Sequence, residues 1–555
     1  MPEVVEKDPA VSLPGDQVDA SHPSADRDAD NDTIISSVAQ EPEIHYPSGI
    51  ILVLIVGGLL LSMFLVALDM SIISTAIPRI TSEFSSMEDI GWYGSAFFLT
   101  LASFQSMWGK AYKYYSLRLV FIESIVVFEI GSLLCALAPT SVALIVGRAV
   151  QGAGGAGLTG GCYTIATFLA RPAKVPIIIG LLGSTFSLAS VVGPLLGGVF
   201  SESITWRWCF YINLPIGGVA VLTMLLFRTP EHAKNHLKMG LKDTIINFDL
   251  PGLILLLSSL LCFFLALQWG GVSRAWSSGT IVALLVLWVV LTAAWLSIEW
   301  FQGEKALVAP RILRKRSIAA CCAFIFFLNA ANFSLIYNLP IYFQAITGDS
   351  PLISGVKVIP TILSTSLSTA ISSSLVGKIN HYQSFLLVGA VLVTVGSGLI
   401  YTFDINTGLG SIIGYQILYG VGTGLSVQIP VIVAGATSAS ADQAVTLSTV
   451  LFFQFVSAAY GVGSTDAILN NVILNNVPRY MGGIDGHDVL GVGAGGLETS
   501  FEGDLLQGAR SAYLDGLHAS WAVAIALFGI TFLCALAPTG AGRLSPKKVS
   551  DDTSS

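Results

Sequence analysis

Charge is scarce in this sequence. Lys, Arg, Asp and Glu together make up 11% of 555 residues, while apolar types make up 53%. A soluble domain carries about 25% charged residues, so the shortage, with a mean hydropathy of +0.74, excludes a soluble protein and indicates a polytopic membrane protein. A basic excess is missing too. Net charge is −8, and no nucleic-acid footprint exists. Eleven acids crowd residues 1–48 against only Lys7 and Arg27, leaving the remainder near neutral. That acidic tail lacks bulky apolar residues and is expected to be disordered and cytoplasmic. It also lacks the basic and apolar opening of a signal or transit peptide.

Other absences narrow the chemistry. No G-x-x-x-x-G-K-[ST] occurs, so ATP is not the direct energy source. The seven cysteines lie in or beside apolar runs, which fits packing rather than a disulfide or zinc framework. His232 and His236 sit among loop lysines and read as solvated rather than metal-binding. Gly152-Ala-Gly-Gly-Ala-Gly157 fits the dinucleotide fingerprint, but it continues an apolar helix and lacks the strand that motif requires. No nucleophile–base constellation stands out, so no enzyme activity is expected.

Long apolar runs are abundant. Stretches of about 20 residues suffice to cross a bilayer, and fourteen are read near 50–78, 90–110, 117–137, 141–169, 175–200, 208–228, 248–269, 279–299, 318–345, 352–377, 384–404, 409–437, 444–469 and 517–537. With both termini cytoplasmic, eighteen Lys and Arg fall inside and six outside, as the positive-inside rule demands. A glycine-rich outer loop is expected over about 470–516.

The spans repeat. Gly109-Lys-Ala-Tyr-Lys-Tyr-Tyr-Ser116 and Gly377-Lys-Ile-Asn-His-Tyr-Gln-Ser384 share Gly-Lys-x-x-x-Tyr-x-Ser, and Arg148-Ala-Val-Gln-Gly152 aligns with Gln416-Ile-Leu-Tyr-Gly420. Six helices therefore recur after two inserted ones, a 6 + 2 + 6 all-α plan. Its expected parts are an N-terminal bundle over 49–228, the inserted pair and linkers over 229–317, a C-terminal bundle over 318–537 and a cytoplasmic tail over 538–555. Repeated bundles with a site at their interface suit alternating-access carriers.

Gly180, Gly193, Pro194, Gly197 and Gly198 punctuate the fifth span. Their small surfaces allow close helix approach, and a proline bends the helix. This run resembles the antiporter motif of the major facilitator superfamily, with Ala189 in place of one glycine. Leu68-Asp-Met-Ser-Ile-Ile-Ser-Thr-Ala-Ile-Pro78, Leu144-Ile-Val-Gly-Arg-Ala-Val-Gln-Gly152, Trp206-Arg-Trp-Cys-Phe-Tyr-Ile-Asn-Leu-Pro215 and Asp249-Leu-Pro-Gly252 resemble its fourteen-span drug:proton antiporters. Phe128-Glu-Ile-Gly-Ser132, Leu265-Ala-Leu-Gln-Trp-Gly-Gly271 and Asn338-Leu-Pro-Ile-Tyr-Phe-Gln344 are similar to the fungal toxin-efflux branch. One departure stands out: after the second span the family carries Gly-x-x-x-Asp, whereas Lys113 holds the acid's place here. The resemblance implies a monomeric plasma-membrane pump that exports a hydrophobic small molecule in exchange for protons. It would need no cofactor beyond the proton gradient.

The coupling groups are read from buried charge. An arginine at membrane depth costs roughly 2.5–3.5 kcal/mol unless it is paired or faces a wet cavity. Arg148, Asp69 and Glu129 all lie in apolar surroundings, and they are expected to share a wet, alternately opening chamber. Asp69 would be the leading proton site and Glu129 the second, both tuned by Arg148; a static ion pair is the other reading. Candidates for the cargo cavity are Asn329, Asn332, Tyr337, Asn338, Tyr342, Gln344, Gln416 and Gln428, although any one of them equally suits helix-to-helix glue. Rival functions are a proton-coupled importer or vacuolar carrier for a siderophore or basic amino acid, and a non-transporting sensor.

Overall fold

A computed structural model describes residues 47–227, apart from Ser85, Met87 and Glu88, and residues 247–537. The acidic tail up to residue 46, the basic segment 228–246 with His232 and His236, and the C-tail 538–555 lie outside the described residues.

The described residues form fourteen long helices and no strand. They are α1 (Gly49–Phe84), α2 (Ile90–Tyr114), α3 (Leu117–Ala136), α4 (Ser141–Leu169), α5 (Val175–Ser203), α6 (Trp208–Tyr211 continuing as Asn213–Leu225), α7 (Leu250–Trp269), α8 (Gly279–Gln302), α9 (Arg316–Ala345), α10 (Pro351–Ile379), α11 (Tyr382–Tyr401), α12 (Leu409–Ser426 continuing as Ile429–Thr437), α13 (Gln443–Tyr480) and α14 (Gly503–Leu536). Twelve of them are long and apolar enough to cross a membrane. The other two, α2 and α4, are equally long, but polar residues and glycine dilute their apolar character. Helices are the natural solution, because a span in lipid must satisfy its backbone groups internally.

Local chemistry sets the ends. Thr140, Ser278 and Ser350 each accept a hydrogen bond from the third backbone N–H that follows, capping α4, α8 and α10. Asp249 caps α7 from a left-handed backbone (φ +49°), and Pro430 restarts the second piece of α12. The outer loop expected over about 470–516 is mostly helical. Asn and Gly there lower hydropathy without breaking the helix, so α13 runs to Tyr480 and α14 begins at Gly503, with short turns of helix at Gly486–Val492 and Leu497–Ser500 between them.

Two seams join the halves. On one, Gly109 of α2 lies flush against Ser448 of α13; on the other, Gly180 of α5 meets Ser373 of α10. Beside the second seam, Ser184 and Ser366 each donate to the other's backbone carbonyl, at 2.8 and 3.2 Å. Both contacts lie toward the end of the bundle that carries Lys113. Eighteen residues are five helical turns, so Gly198 and Gly355 share the faces of Gly180 and Ser373 at the opposite end, which carries Glu83. There nothing stands within 4 Å of a Cβ at either glycine. The halves touch at the Lys113 end, whereas these two glycines toward the Glu83 end meet no neighbour.

The pair α7–α8 docks on α2 and α13 beside the first seam. Ser259 and Thr292 bond at 2.6 Å within the pair, and the Trp288 indole donates to the Tyr460 hydroxyl of α13 at 3.2 Å. In the most apolar 18-residue stretch of α8 only 6% is buried, so nearly all of that apolar surface is left uncovered by the other helices. Near the Lys113 end, Lys110 donates to the carbonyls of Asn247 and Lys305, at 2.9 and 2.5 Å, and thus ties the pair to α2.

Candidate functional site

Five helices converge on one buried charge cluster. Arg148 of α4 forms an ion pair with Asp69 of α1, and neither side chain has any exposed surface. The guanidinium also donates to the Gln151 side-chain oxygen at 2.9 Å and, from Nε, to the Tyr93 carbonyl of α2 at 2.9 Å. The Asp69 carboxylate accepts from Gln151 at 2.7 Å and from Asn213 of α6 at 3.3 Å. Ser132 of α3 accepts from Asn213 and Gln151 and donates to the Phe210 carbonyl at 3.0 Å. The Phe97 ring centre lies 4.5 Å from the guanidinium carbon, a cation–π contact in a desolvated setting.

Helix geometry explains the convergence. Arg148 and Gln151 are three residues apart on α4, and so are Glu129 and Ser132 on α3, so each pair shares a face. Gly131 and Gly154 let α3 and α4 approach until their backbones touch, which brings Gln151 to the Ser132 level. The Trp206–Pro215 segment supplies both the Phe210 carbonyl and Asn213.

The three charged residues expected to act together are not arranged alike. Asp69 and Arg148 meet among the helices of the N-terminal bundle, with no exposed surface on either side chain. Glu129 bonds neither of them. Its carboxyl lies against Gly217 of α6 with both oxygens buried and unpartnered among the described residues. The second guanidinium nitrogen of Arg148, Nη2, is also unpartnered.

The glycines of α5 have packing duties. Gly193 and Gly197 lie flush against Ser71, Ile72 and Thr75 of α1, Gly180 forms the seam to α10, and Gly198 faces open space. The Pro194 carbonyl, in turn, accepts from Thr75 at 3.3 Å. Small residues here hold the Asp69 helix against α5.

Most cavity candidates hydrogen-bond a neighbouring helix or loop. Asn332 accepts from the Tyr419 hydroxyl at 2.7 Å, Tyr342 donates to the Asp404 carbonyl at 2.7 Å, and Gln344 donates to Ser354 at 3.1 Å. Gln416 bonds Thr361 and the Lys357 carbonyl, Gln428 bonds Tyr163 of α4, and Asn329 bonds its own helix. Asn338 is buried with its amide unpartnered. Tyr337 keeps accessible surface.

Two ion-pair clusters mark the ends. At one, Glu83 accepts from the Trp206 indole at 2.7 Å and from Arg207 at 2.8 Å, and Arg207 also reaches the Ala138 carbonyl. The Trp206 hydrogen bond, and then Arg207, hold the Glu83 carboxyl below the ordinary carboxylate range. A depressed carboxyl contributes stability above its unfolded pKa of about 4.3 and loses it only as pH falls through the lower folded value. This clamp is therefore ionised from pH 5 to 8. Glu83→Gln is expected to leave the pH profile of transport unmoved over that window, and a displaced acid limb would make Glu83 the titrating group instead. At the other end, Lys113 of α2 pairs with Asp442 at 3.1 Å. Arg311 grips the same carboxylate at 2.8 and 3.0 Å and holds Glu304 at 2.7 Å.

A sequence model described as the Major Facilitator Superfamily matches residues 59–464. The chain belongs to that superfamily. An efflux pump of Aspergillus sp. (strain MF297-2) is 40% identical over 497 residues, covering 89% of this chain and 88% of the pump. A dehydrocurvularin exporter of Aspergillus terreus is 37% identical over 528 residues, covering 94% and 92%. The solved structure of a proton:xylose symporter superposes with a TM-score of 0.58 at 12% identity, covering 87% of this chain and 94% of the symporter; that likeness concerns the fold. This facilitator is thus a multi-pass membrane transporter and not an enzyme.

Proposed function

We propose that this facilitator exports a hydrophobic small molecule, of the secondary-metabolite or toxin kind, across the fungal plasma membrane in exchange for protons. The desolvated Asp69–Arg148 pair carries the coupling. Charge burial of this kind is costly, and it sits on the helix that α5 packs against and one bond from the backbone of α2. Protonating Asp69 removes the partner of a buried cation, so the guanidinium must seek new contacts and the helices holding it must shift. Glu129 supplies a second carboxyl in the same bundle, within electrostatic reach of Asp69. One cation beside two carboxyls balances only when one proton is bound.

All fourteen helices cross the membrane in this reading, as a 6 + 2 + 6 monomer with α2 and α4 shielded by neighbours rather than by their own apolarity. Lys110, Lys113, Arg118, Arg171, Lys174, Arg311, Arg314, Lys315, Arg316 and Lys378 gather at one end, which is therefore cytoplasmic. The contact between the halves there, with open space at Gly198 and Gly355 toward the Glu83 end, supports reading this as the outward-open state. The exporter names carried by relatives about 40% identical support the direction.

Everted plasma-membrane vesicles acidified inside test the reading. They are expected to take up a lipophilic fluorescent dye only when the chain is present, and to stop when a proton ionophore collapses the gradient. Uptake indifferent to the ionophore, or driven by the opposite gradient, overturns it.

A further inference from the structure

We propose that Asp466 is the charged anchor of a cargo site in the open cleft between the halves, selecting compounds with a positively charged nitrogen or phosphorus centre. Asp466 lies eighteen residues after Ser448 on α13, so both occupy one helical face. Ser448 uses that face to meet Gly109 of α2 where the seam is closed. Asp466 lies on that same face, which is turned toward the N-terminal half, five turns further toward the Glu83 end.

Its flanks are occupied and its front is open. On one side, Gly461 of α13 packs flush on Ala330 of α9; on the other, Gly463 packs on Phe264 and Leu267 of α7. On the facing side, Gly91 of α2 meets Gln268 of the inserted α7, and Phe98 of α2 meets Phe333 of α9 edge-on at 6.4 Å. Between those two contacts is Gly94, with nothing within 4 Å of a Cβ. Asp466 thus faces a gap floored by glycine and walled by aromatic rings. Tyr337, tilted against Phe333, has both Asp466 and Arg148 as electrostatic neighbours. Tyr337 and Asp466 lie deep among the helices yet keep accessible surface, as residues lining an internal space do.

Among the described residues, Asp466 has no hydrogen-bond or ion-pair partner. A lone carboxylate at such depth is unfavourable and is relieved by a ligand of opposite charge. Cation–π attraction to the surrounding rings favours the same chemistry. The site also adjoins the coupling pair, since the Tyr93 carbonyl next to Gly94 is the one that accepts from Arg148. A bound cation therefore raises the local positive potential beside Arg148, which links cargo occupancy to the state of Asp69.

This inference rests on the export reading but is tested apart from it, by equilibrium binding. The full chain in lipid nanodiscs is titrated with tetraphenylphosphonium and with its neutral relative triphenylphosphine oxide, and binding is read by quenching of tryptophan fluorescence. The wild type is expected to prefer the cation about tenfold or more. Asp466→Asn should erase that preference while still binding the oxide, which shows that the variant is folded, and Asp466→Glu should restore it in part. Equal binding of the two probes by the wild type, binding of neither, or a preference that survives Asp466→Asn overturns the proposal. The vesicle assay fails or succeeds independently of these outcomes, because it needs only a proton-driven flux.

Discussion

Asp69→Asn is expected to abolish proton-driven export, and Arg148→Ala to do the same, each by a hundredfold or more. Removing one partner from a buried ion pair costs about 3–5 kcal/mol, because the other charge is left without compensation; each 1.36 kcal/mol is a factor of ten. Both side chains here have no exposed surface, so solvent cannot step in. After Asp69→Asn the guanidinium has no counter-charge and keeps only neutral partners: the Tyr93 carbonyl, the Gln151 oxygen, an amide oxygen at position 69 and the faces of Phe97 and Phe210. A large loss of transport alone does not separate a coupling role from a structural one. The double variant Asp69→Asn/Arg148→Gln does. It removes both charges, and neutral replacement of a buried pair is often near neutral for stability. Its melting temperature is expected to return most of the way to the wild-type value while proton-driven flux stays absent. If the double variant exported cargo with an intact response to the pH gradient, the pair would be a structural brace and the proton site would lie elsewhere.

Glu129→Gln separates the two carboxyls. Its oxygens have no partner to lose, so its substitution is expected to spare folding. Any change in flux then reports a proton carried there.

How the site was legible follows from contrast. Arg148 and Asp69 stand out in sequence because ionisable groups are rare in apolar stretches, and rarity at that depth has an energetic cause. Gln151, Ser132 and Asn213 complete the cluster but carry no such contrast, since amides and hydroxyls are common in spans. Asp466 satisfies the same criterion as Asp69 and was hidden by its position: it lies just before Asn470 and Asn471, where hydropathy falls and a loop was expected. Hydropathy cannot distinguish a helix emerging from lipid from one that ends. The asparagine and tyrosine stripe on α9 is less legible, because a polar periodicity says which residues share a face and not whether that face meets cargo or a neighbouring helix. The repeat was legible where glycine is required for close approach. Gly109 and Gly377 are 268 positions apart, as are Arg148 and Gln416. The same offset relates Gly193, flush on α1, to Gly461, flush on α9. It also relates Gly198 to Asp466, so the second half places its acid where the first has an open glycine.

Neutralising Asp442 is the second large expected effect, and it concerns the closed end of the cleft. Where the resemblance implies an acid after the second helix this chain has Lys113, which finds its carboxylate across the seam, on Asp442 at the start of α13. The latch keeps its place and reverses its sign. Arg311 extends it to the linker after α8 and stays charged, because Asp442 and then Glu304 push its pKa further up. These side chains are partly exposed, from 14% for Asp442 to 60% for Glu304, so each pair is screened and contributes about 0.2–1 kcal/mol. Asp442→Asn weakens both of its pairs together. The combined loss shifts the balance between closed and open about tenfold toward opening at that end. A cysteine placed at Ser448, which lies in the seam against Gly109, reports the shift through its reaction with a membrane-impermeant maleimide. Labelling is expected to rise about tenfold with Asp442→Asn, and to rise in the wild-type background as salt screens the pairs. Lys113→Asp combined with Asp442→Lys should recover only part of the closure, because the exchange leaves Arg311 facing a second cation. Labelling that ignores both Asp442→Asn and salt would mean that glycine–serine packing alone closes the seam, and that the reversed charges decorate an interface they do not hold.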